Sequence, residues 1–142
     1  MVSVGKSLLH QRLDKYWIQN LNKSQILPFE SSIFDACLIV AGWQYLQYPE
    51  ELSLELSRIT KNNSLLIISF TNRAFWSKSP NIWTERSETG RIDYVKDVIS
   101  FNGWEIEKVI NERTIDRRLF GLFQESADPF FSVIARNNKS NN

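Results

Sequence analysis

Ile33-Phe34-Asp35-Ala36-Cys37-Leu38-Ile39-Val40-Ala41 and Ser64-Leu65-Leu66-Ile67-Ile68-Ser69-Phe70 are the two stretches that decide the fold. Both are nearly continuous apolar runs rather than alternating ones, the pattern of strands buried on both faces of a parallel sheet. This reading places both in the middle of the sheet. Between them Pro49 to Lys61 has the marks of a helix. Pro49 suits a first helical position, Glu50 and Glu51 suit the positive end, and Leu52, Leu54, Leu56 and Ile59 supply a buried stripe. Strand, helix and strand make a βαβ unit with an expected right-handed crossover.

Downstream, the aromatic-rich segment Phe75 to Trp83 precedes a predicted helix from Ile92 to Asn102, with Val95, Val98, Ile99 and Phe101 on its apolar side and Gly103 as its C-terminal stop. Trp104-Glu105-Ile106-Glu107-Lys108-Val109-Ile110 alternates, as expected of a strand near the sheet edge. Pro129-Phe130-Phe131-Ser132-Val133-Ile134-Ala135 is predicted as a last strand, antiparallel beside its predecessor. Upstream, Tyr16-Trp17-Ile18-Gln19-Asn20 is a shorter strand candidate. The prediction is one α/β domain over residues 1–136 and a polar, disordered tail over 137–142.

Composition narrows the function classes. The chain has 142 residues, 42% of them hydrophobic, and 17 basic against 16 acidic side chains, a net charge of +1. A near-neutral chain with no clustered basic face lacks the electrostatics of a dedicated nucleic-acid or membrane-surface binder. The expected partner is a small molecule or another protein. One cysteine, Cys37, and one histidine, His10, provide neither a disulfide nor a multi-thiolate or two-histidine metal site. The apolar runs fall well short of the ~20 residues that span a bilayer, and Met1 to His10 lacks a secretory apolar core, so a cytoplasmic protein is expected.

A constellation of residues then carries a resemblance: Leu27-Pro28-Phe29-Glu30 followed by Phe34-Asp35-Ala36, then Gln44-Tyr45-Leu46, Pro49, Glu55 and Arg58, then Ser69-Phe70, Asn72-Arg73 and Phe75. Together they resemble the C-terminal two-thirds of a class I S-adenosylmethionine-dependent methyltransferase of the small-molecule, type-11 kind. The resemblance implies an incomplete Rossmann-like sheet, mostly parallel with a C-terminal antiparallel strand, that lacks the first two strands. The family's glycine-rich cofactor turn is absent, since the only glycines are Gly5, Gly42, Gly90, Gly103 and Gly121. The acidic residue that accepts hydrogen bonds from the cofactor ribose has no counterpart either. Family sheets run third, second, first, fourth, fifth, seventh, sixth, so the strand over Phe34 to Ala41 is expected to have an open edge. Closure by residues 16–20, self-association or a protein partner, instability alone, or a true start codon upstream are the expected consequences.

The resemblance also implies site residues. Asn20 would accept from the cofactor adenine, or serve simply as a turn residue. Ala41 and Gly42 lie at a strand's carboxyl end, where ligands sit in open α/β sheets, although such a turn also favours glycine for its own sake. Gln44 and Tyr45 would orient substrate. Asn72, Arg73 and Trp76, with Phe75 and Trp83, would form an aromatic pocket for a flat or anionic molecule, or else pack as core. Asn62-Asn63-Ser64 replaces the family's proline-glycine-glycine turn, with Asn tolerating a left-handed backbone. His10 is read as a surface residue, Cys37 as a buried strand thiol, and Arg113 to Arg118 as a solvated loop. No catalytic acid or base and no metal site is assigned. Methyl transfer from a sulfonium is an in-line displacement in which positioning can suffice. The implied function is S-adenosylmethionine-dependent methyl transfer to a small molecule, with weak or absent cofactor binding by this chain alone. The alternative is a non-catalytic, methyltransferase-like interaction module that uses the exposed sheet edge.

Overall fold

The computed structural model describes residues 14–112 and 129–139 and the backbone of Val4–Gly5. His10, Gly121 and the Arg113 to Arg118 loop therefore lie outside the described residues. The first element pair is β1 (Val4–Gly5) with β2 (Tyr16–Trp17), a short antiparallel ribbon. The principal sheet contains β3 (Phe34–Val40), β4 (Thr60–Thr71), β5 (Trp104–Glu112) and β6 (Phe130–Asn137), in the order β3-β4-β6-β5. That is the order the resemblance implies for the fourth, fifth, seventh and sixth strands. β3 pairs parallel with β4, while β6 runs antiparallel to both β4 and β5. The sheet is thus mixed, with β3, β4 and β5 pointing one way and β6 the other.

Helix α1 (Pro49–Ile59) starts on Pro49 with Glu50 and Glu51 in its first turn, as its local sequence dictates. After a one-turn helix α2 (Asn81–Thr84), helix α3 (Glu88–Phe101) begins at Ser87, whose hydroxyl accepts from the Gly90 N–H at 3.1 Å. It ends before Gly103, whose φ of 83° is the left-handed conformation a helix stop requires. Leu52, Leu56, Ile59, Val95 and Ile99 pack on the sheet face formed by Leu66, Ile68 and Phe70 of β4 and Phe131, Val133 and Ala135 of β6. Two residues of the predicted stripes are not buried: Leu54 is 56% exposed and Phe101 is 88% exposed. Both point away from the sheet, because the turn of each helix that meets it is set by the packing partner and not by the residue's own polarity.

Glu55 and Arg58 secure the approach to β3. Arg58 donates to the Glu55 carboxylate at 2.6 and 2.8 Å and to the Leu27 and Phe29 carbonyls, and Glu55 accepts from the Leu27 N–H at 2.7 Å. Phe29 stacks edge-on against Trp17 and Phe34, with ring centroids 4.7 and 4.9 Å apart. At the start of β4, Asn63 has φ 61°, so the left-handed turn foreseen at Asn62-Asn63-Ser64 is present, inside the strand as a register irregularity.

Three expectations are corrected. Among the described residues β3 does not lie in the sheet's middle; it is an edge strand, as the resemblance but not the apolar pattern implied, with Leu38 64% and Val40 72% exposed. Its continuous apolar pattern describes a strand that has neighbours on both sides and layers on both faces, neither of which the described residues supply. Residues 16–20 do not close that edge, because only Tyr16–Trp17 is extended and it pairs with Val4–Gly5. Asn137 does not belong to a tail. It is the last residue of β6 and fully buried, exchanging hydrogen bonds with Ser57 and Thr60. Burial of a polar side chain there is possible because all of its partners are polar groups at the α1–β4 corner.

Candidate cofactor and substrate site

The carboxyl ends of β3 and β4 gather the predicted site segments, and Tyr45 is where they meet. β3 ends on Ala41, whose N–H donates to the Ser69 carbonyl at 2.9 Å and whose φ of 51° is left-handed. That conformation turns the chain away from the sheet into a one-turn 3₁₀ helix, Trp43–Tyr45, capped at Gly42. The Tyr45 carbonyl accepts from the Asn22 side-chain amide at 2.9 Å, and the Asn22 side-chain oxygen accepts from the Gln47 N–H at 2.9 Å. The Tyr45 hydroxyl accepts from the Phe75 N–H at 3.1 Å. The loop containing Asn20, the turn after β3 and the segment after β4 are thereby held as one surface.

Individual residues differ in what they offer. Asn20 is exposed and its side-chain oxygen accepts from the Asn22 N–H at 3.0 Å, which is the local turn geometry. Its loop, from Gln19 to Pro28, lines a cavity of about 500 Å³. Gly42 has φ −117°, a value open to any residue, and a Cβ there would meet Ile39 Cγ2 at 3.5 Å and the Val40 carbonyl at 3.9 Å, which is ordinary contact. The strained backbone position is Ala41, one residue earlier. Gln44 is buried, and its side-chain oxygen has no hydrogen-bond donor among the described residues. Trp43 is also buried, and its indole N–H has no partner among the described residues.

After β4, Asn72 and Arg73 are exposed, the Arg73 N–H donating to the Thr71 hydroxyl at 3.2 Å. The aromatic cover divides into two kinds. Trp83 is core, 2% exposed and edge-on to Phe70 at 5.0 Å, whereas Phe75 and Trp76 are 69% and 58% exposed. Lys78 lies over the Phe75 ring, 5.4 Å from its centroid. Cys37 is half-buried on β3, and burial pushes its thiol up to about 11. Two residues were missed by the sequence reading: Asn22, hidden within a polar loop, and Arg91, whose spacing with Val95 and Val98 puts it on the buried stripe of α3.

The cofactor implied by the resemblance can be tested against these groups. The side-chain acceptor assigned to adenine, on Asn20, is already engaged by its own turn, and Gly42 is not a position that only glycine can fill. These residues do not by themselves form a cradle for S-adenosylmethionine.

No protein-family model matches the sequence, and no curated protein matches it. Solved structures do match. The chain is similar to a methyltransferase from Thermotoga maritima named as a possible histamine N-methyltransferase, at 18% identity and a TM-score of 0.56, over 80% of this chain and 61% of that one. It is also similar to a variant of the 16S rRNA (adenine(1408)-N(1))-methyltransferase from Catenulisporales acidiphilia, at 13% identity and a TM-score of 0.55, over 79% and 54%. A third is the methyltransferase in complex with the activator Trm112 from Haloferax volcanii, at 12% identity and a TM-score of 0.54, over 80% and 58%. The fold is that of the class I S-adenosylmethionine-dependent methyltransferases. The chain spans between about half and two thirds of the length of the structures it matches. Among the described residues no helix is long and apolar enough to cross a membrane.

Proposed function

We propose that the chain is the C-terminal portion of a cytoplasmic S-adenosylmethionine-dependent methyltransferase acting on a small molecule, with Asn20, Ala41 and Gly42 on the cofactor side and Gln44, Tyr45, Asn72, Arg73 and Trp76 on the substrate side. The observation that carries this reading is the junction at Tyr45, which draws all three segments to the carboxyl ends of parallel strands in a methyltransferase-like sheet. The neighbours' range, from a named amine substrate to ribosomal RNA, leaves the choice of a small molecule to the near-neutral charge and the exposed aromatic cover. In this reading catalysis is positioning: Gln44, Tyr45, Asn72 and Arg73 orient an acceptor, and none of these four serves as a general base.

The test is calorimetry with S-adenosylmethionine. The chain alone should show no low-micromolar binding, and the same chain extended at its N-terminus by a strand and glycine-rich turn should show it. An extended protein that folds and still fails to bind the cofactor would overturn the proposal.

A second reading is favoured by one feature of β3. The Ala41 N–H bonds to the Ser69 carbonyl of β4, so by strand alternation the backbone N–H and C=O groups of Ala36, Leu38 and Val40 point to the open side. With Leu38 and Val40 exposed as well, this edge suits a protein partner or a second copy. A monodisperse monomer at high concentration that captures no strand would rule this out.

A further inference from the structure

Arg91 is the most deeply placed cation among the described residues, only 6% exposed, on the second turn of α3. Its guanidinium carbon lies 5.5 Å from the centroids of both Trp76 and Trp83, over each ring. One ring is core and the other, 58% exposed, opens to solvent. The Nε–H donates to the Trp83 carbonyl at 3.1 Å, while the two terminal nitrogens have no acceptor among the described residues. The Trp83 indole N–H is buried and has no partner among the described residues. The Arg91 guanidinium, with its terminal donors without an acceptor among the described residues, thus lies between a core ring and an exposed one, on the segment that follows β4. Glu88, one turn earlier, opposes by its charge the effect of burial on Arg91. The surrounding stretch carries Arg73, Lys78, Arg86 and Arg91 against Glu85 and Glu88, a local excess of positive charge.

We propose that Arg91 is a substrate-binding residue: its terminal nitrogens, between Trp76 and Trp83, receive the carboxylate of a flat, anionic small molecule. A guanidinium stacked on aromatic rings keeps its fork in plane, which favours bidentate capture of a carboxylate over an extended cationic or neutral ligand. Trp76 supplies the outer wall against which the planar part of the ligand lies. The inference deepens the function proposed above by giving the substrate a charge, and it rests on that reading only in naming the occupant a substrate.

Benzoate and its neutral isostere benzamide are the probes, titrated into the chain while tryptophan fluorescence and heat are recorded. Benzoate should bind and benzamide should bind at least about tenfold more weakly, the worth of a charge-assisted hydrogen bond. Arg91→Gln, checked for native circular dichroism, should remove that preference. Equal binding of the two probes, no benzoate binding at millimolar concentration, or a folded Arg91→Gln chain with the parent's preference would each overturn the proposal. Should Arg91→Gln fail to fold, Arg91→Lys and Trp76→Ala decide: both should weaken benzoate, and parental affinity in both would overturn it. Cofactor calorimetry on the extended chain separates the two proposals. Benzoate binding without cofactor binding keeps the slot and rejects the methyltransferase reading, and the converse rejects the slot alone.

Discussion

The Tyr45 hydroxyl accepts a hydrogen bond from the Phe75 N–H across a separation of thirty residues, at 3.1 Å, with the two rings 6.5 Å apart. This contact ties the turn leaving β3 to the segment leaving β4. Tyr45→Phe keeps the ring and removes the acceptor, so a loss of about 1 kcal/mol is expected, with faster amide exchange at Phe75. Unchanged exchange at Phe75 would show that the tie is not formed in solution.

Ala41 and Gly42 make an instructive pair. Ala41 holds φ 51° without glycine's freedom, so Ala41→Gly should stabilise the chain by up to about 1 kcal/mol, the relieved strain being partly offset by the greater entropy of the unfolded glycine. Gly42→Ala should be close to neutral, because its Cβ meets only ordinary contacts. Thermal denaturation of both variants measures this. A destabilised Ala41→Gly would mean that the left-handed position is relaxed in solution. In an N-terminally extended chain that binds the cofactor, Gly42→Val should weaken binding while Gly42→Ala should not.

Asn137 closes the corner between α1 and β4 with bonds of 3.0 Å to the Ser57 hydroxyl, 3.0 Å to the Ser57 carbonyl and 2.7 Å to the Thr60 hydroxyl. Asn137→Leu leaves those buried groups unpaired and should cost roughly 2–4 kcal/mol. Urea denaturation is the measurement, and a truncation after Arg136 should behave likewise. A truncation after Lys139 should not.

The edge of β3 can be tested without disturbing the core. Leu38 and Val40 are largely exposed, so Leu38→Lys and Val40→Lys should leave the melting temperature within a few degrees of the parent while lowering the apparent mass in light scattering at high concentration. An equal mass for parent and variants would remove self-association through this strand.

Acid should loosen the approach to β3 first. The Arg58 hydrogen bond, ahead of the desolvation that opposes it, holds the Glu55 carboxyl below its ordinary value of 4.5. A depressed carboxylate pKa contributes stability that is present above the unfolded value and is lost as pH falls through the folded one, since the unfolded chain then binds the extra proton. Below about pH 4.5 the Leu27 and Phe29 amides should therefore exchange faster in the parent, and Glu55→Gln should show that faster exchange already at neutral pH. For Cys37 the sign is reversed. Its raised value, about 11 against 9.0, means that stability falls as pH rises between those values, and alkylation at pH 8 should be slow relative to a free thiol.

Local chemistry was enough for the backbone state of most elements. Pro49 with Glu50 and Glu51 opened α1, Gly103 closed α3, Asn63 took the left-handed turn, and the alternation from Trp104 marked β5 as an edge strand, because each depends on a residue's own torsions or on hydrogen bonds a few residues away. The resemblance carried on the Leu27 to Phe75 motifs likewise anticipated the sheet order. What the sequence could not decide was which side chain meets which neighbour. Leu54 and Phe101 fit helical periodicity and yet face solvent, while Arg91 and Asn137 are polar and yet buried. Their environments are set by residues far along the chain: Trp76 and Trp83 around Arg91, Ser57 and Thr60 around Asn137. The open side of β3 follows the same logic, since an apolar strand reports that it prefers to be covered, and only the tertiary arrangement determines whether anything covers it.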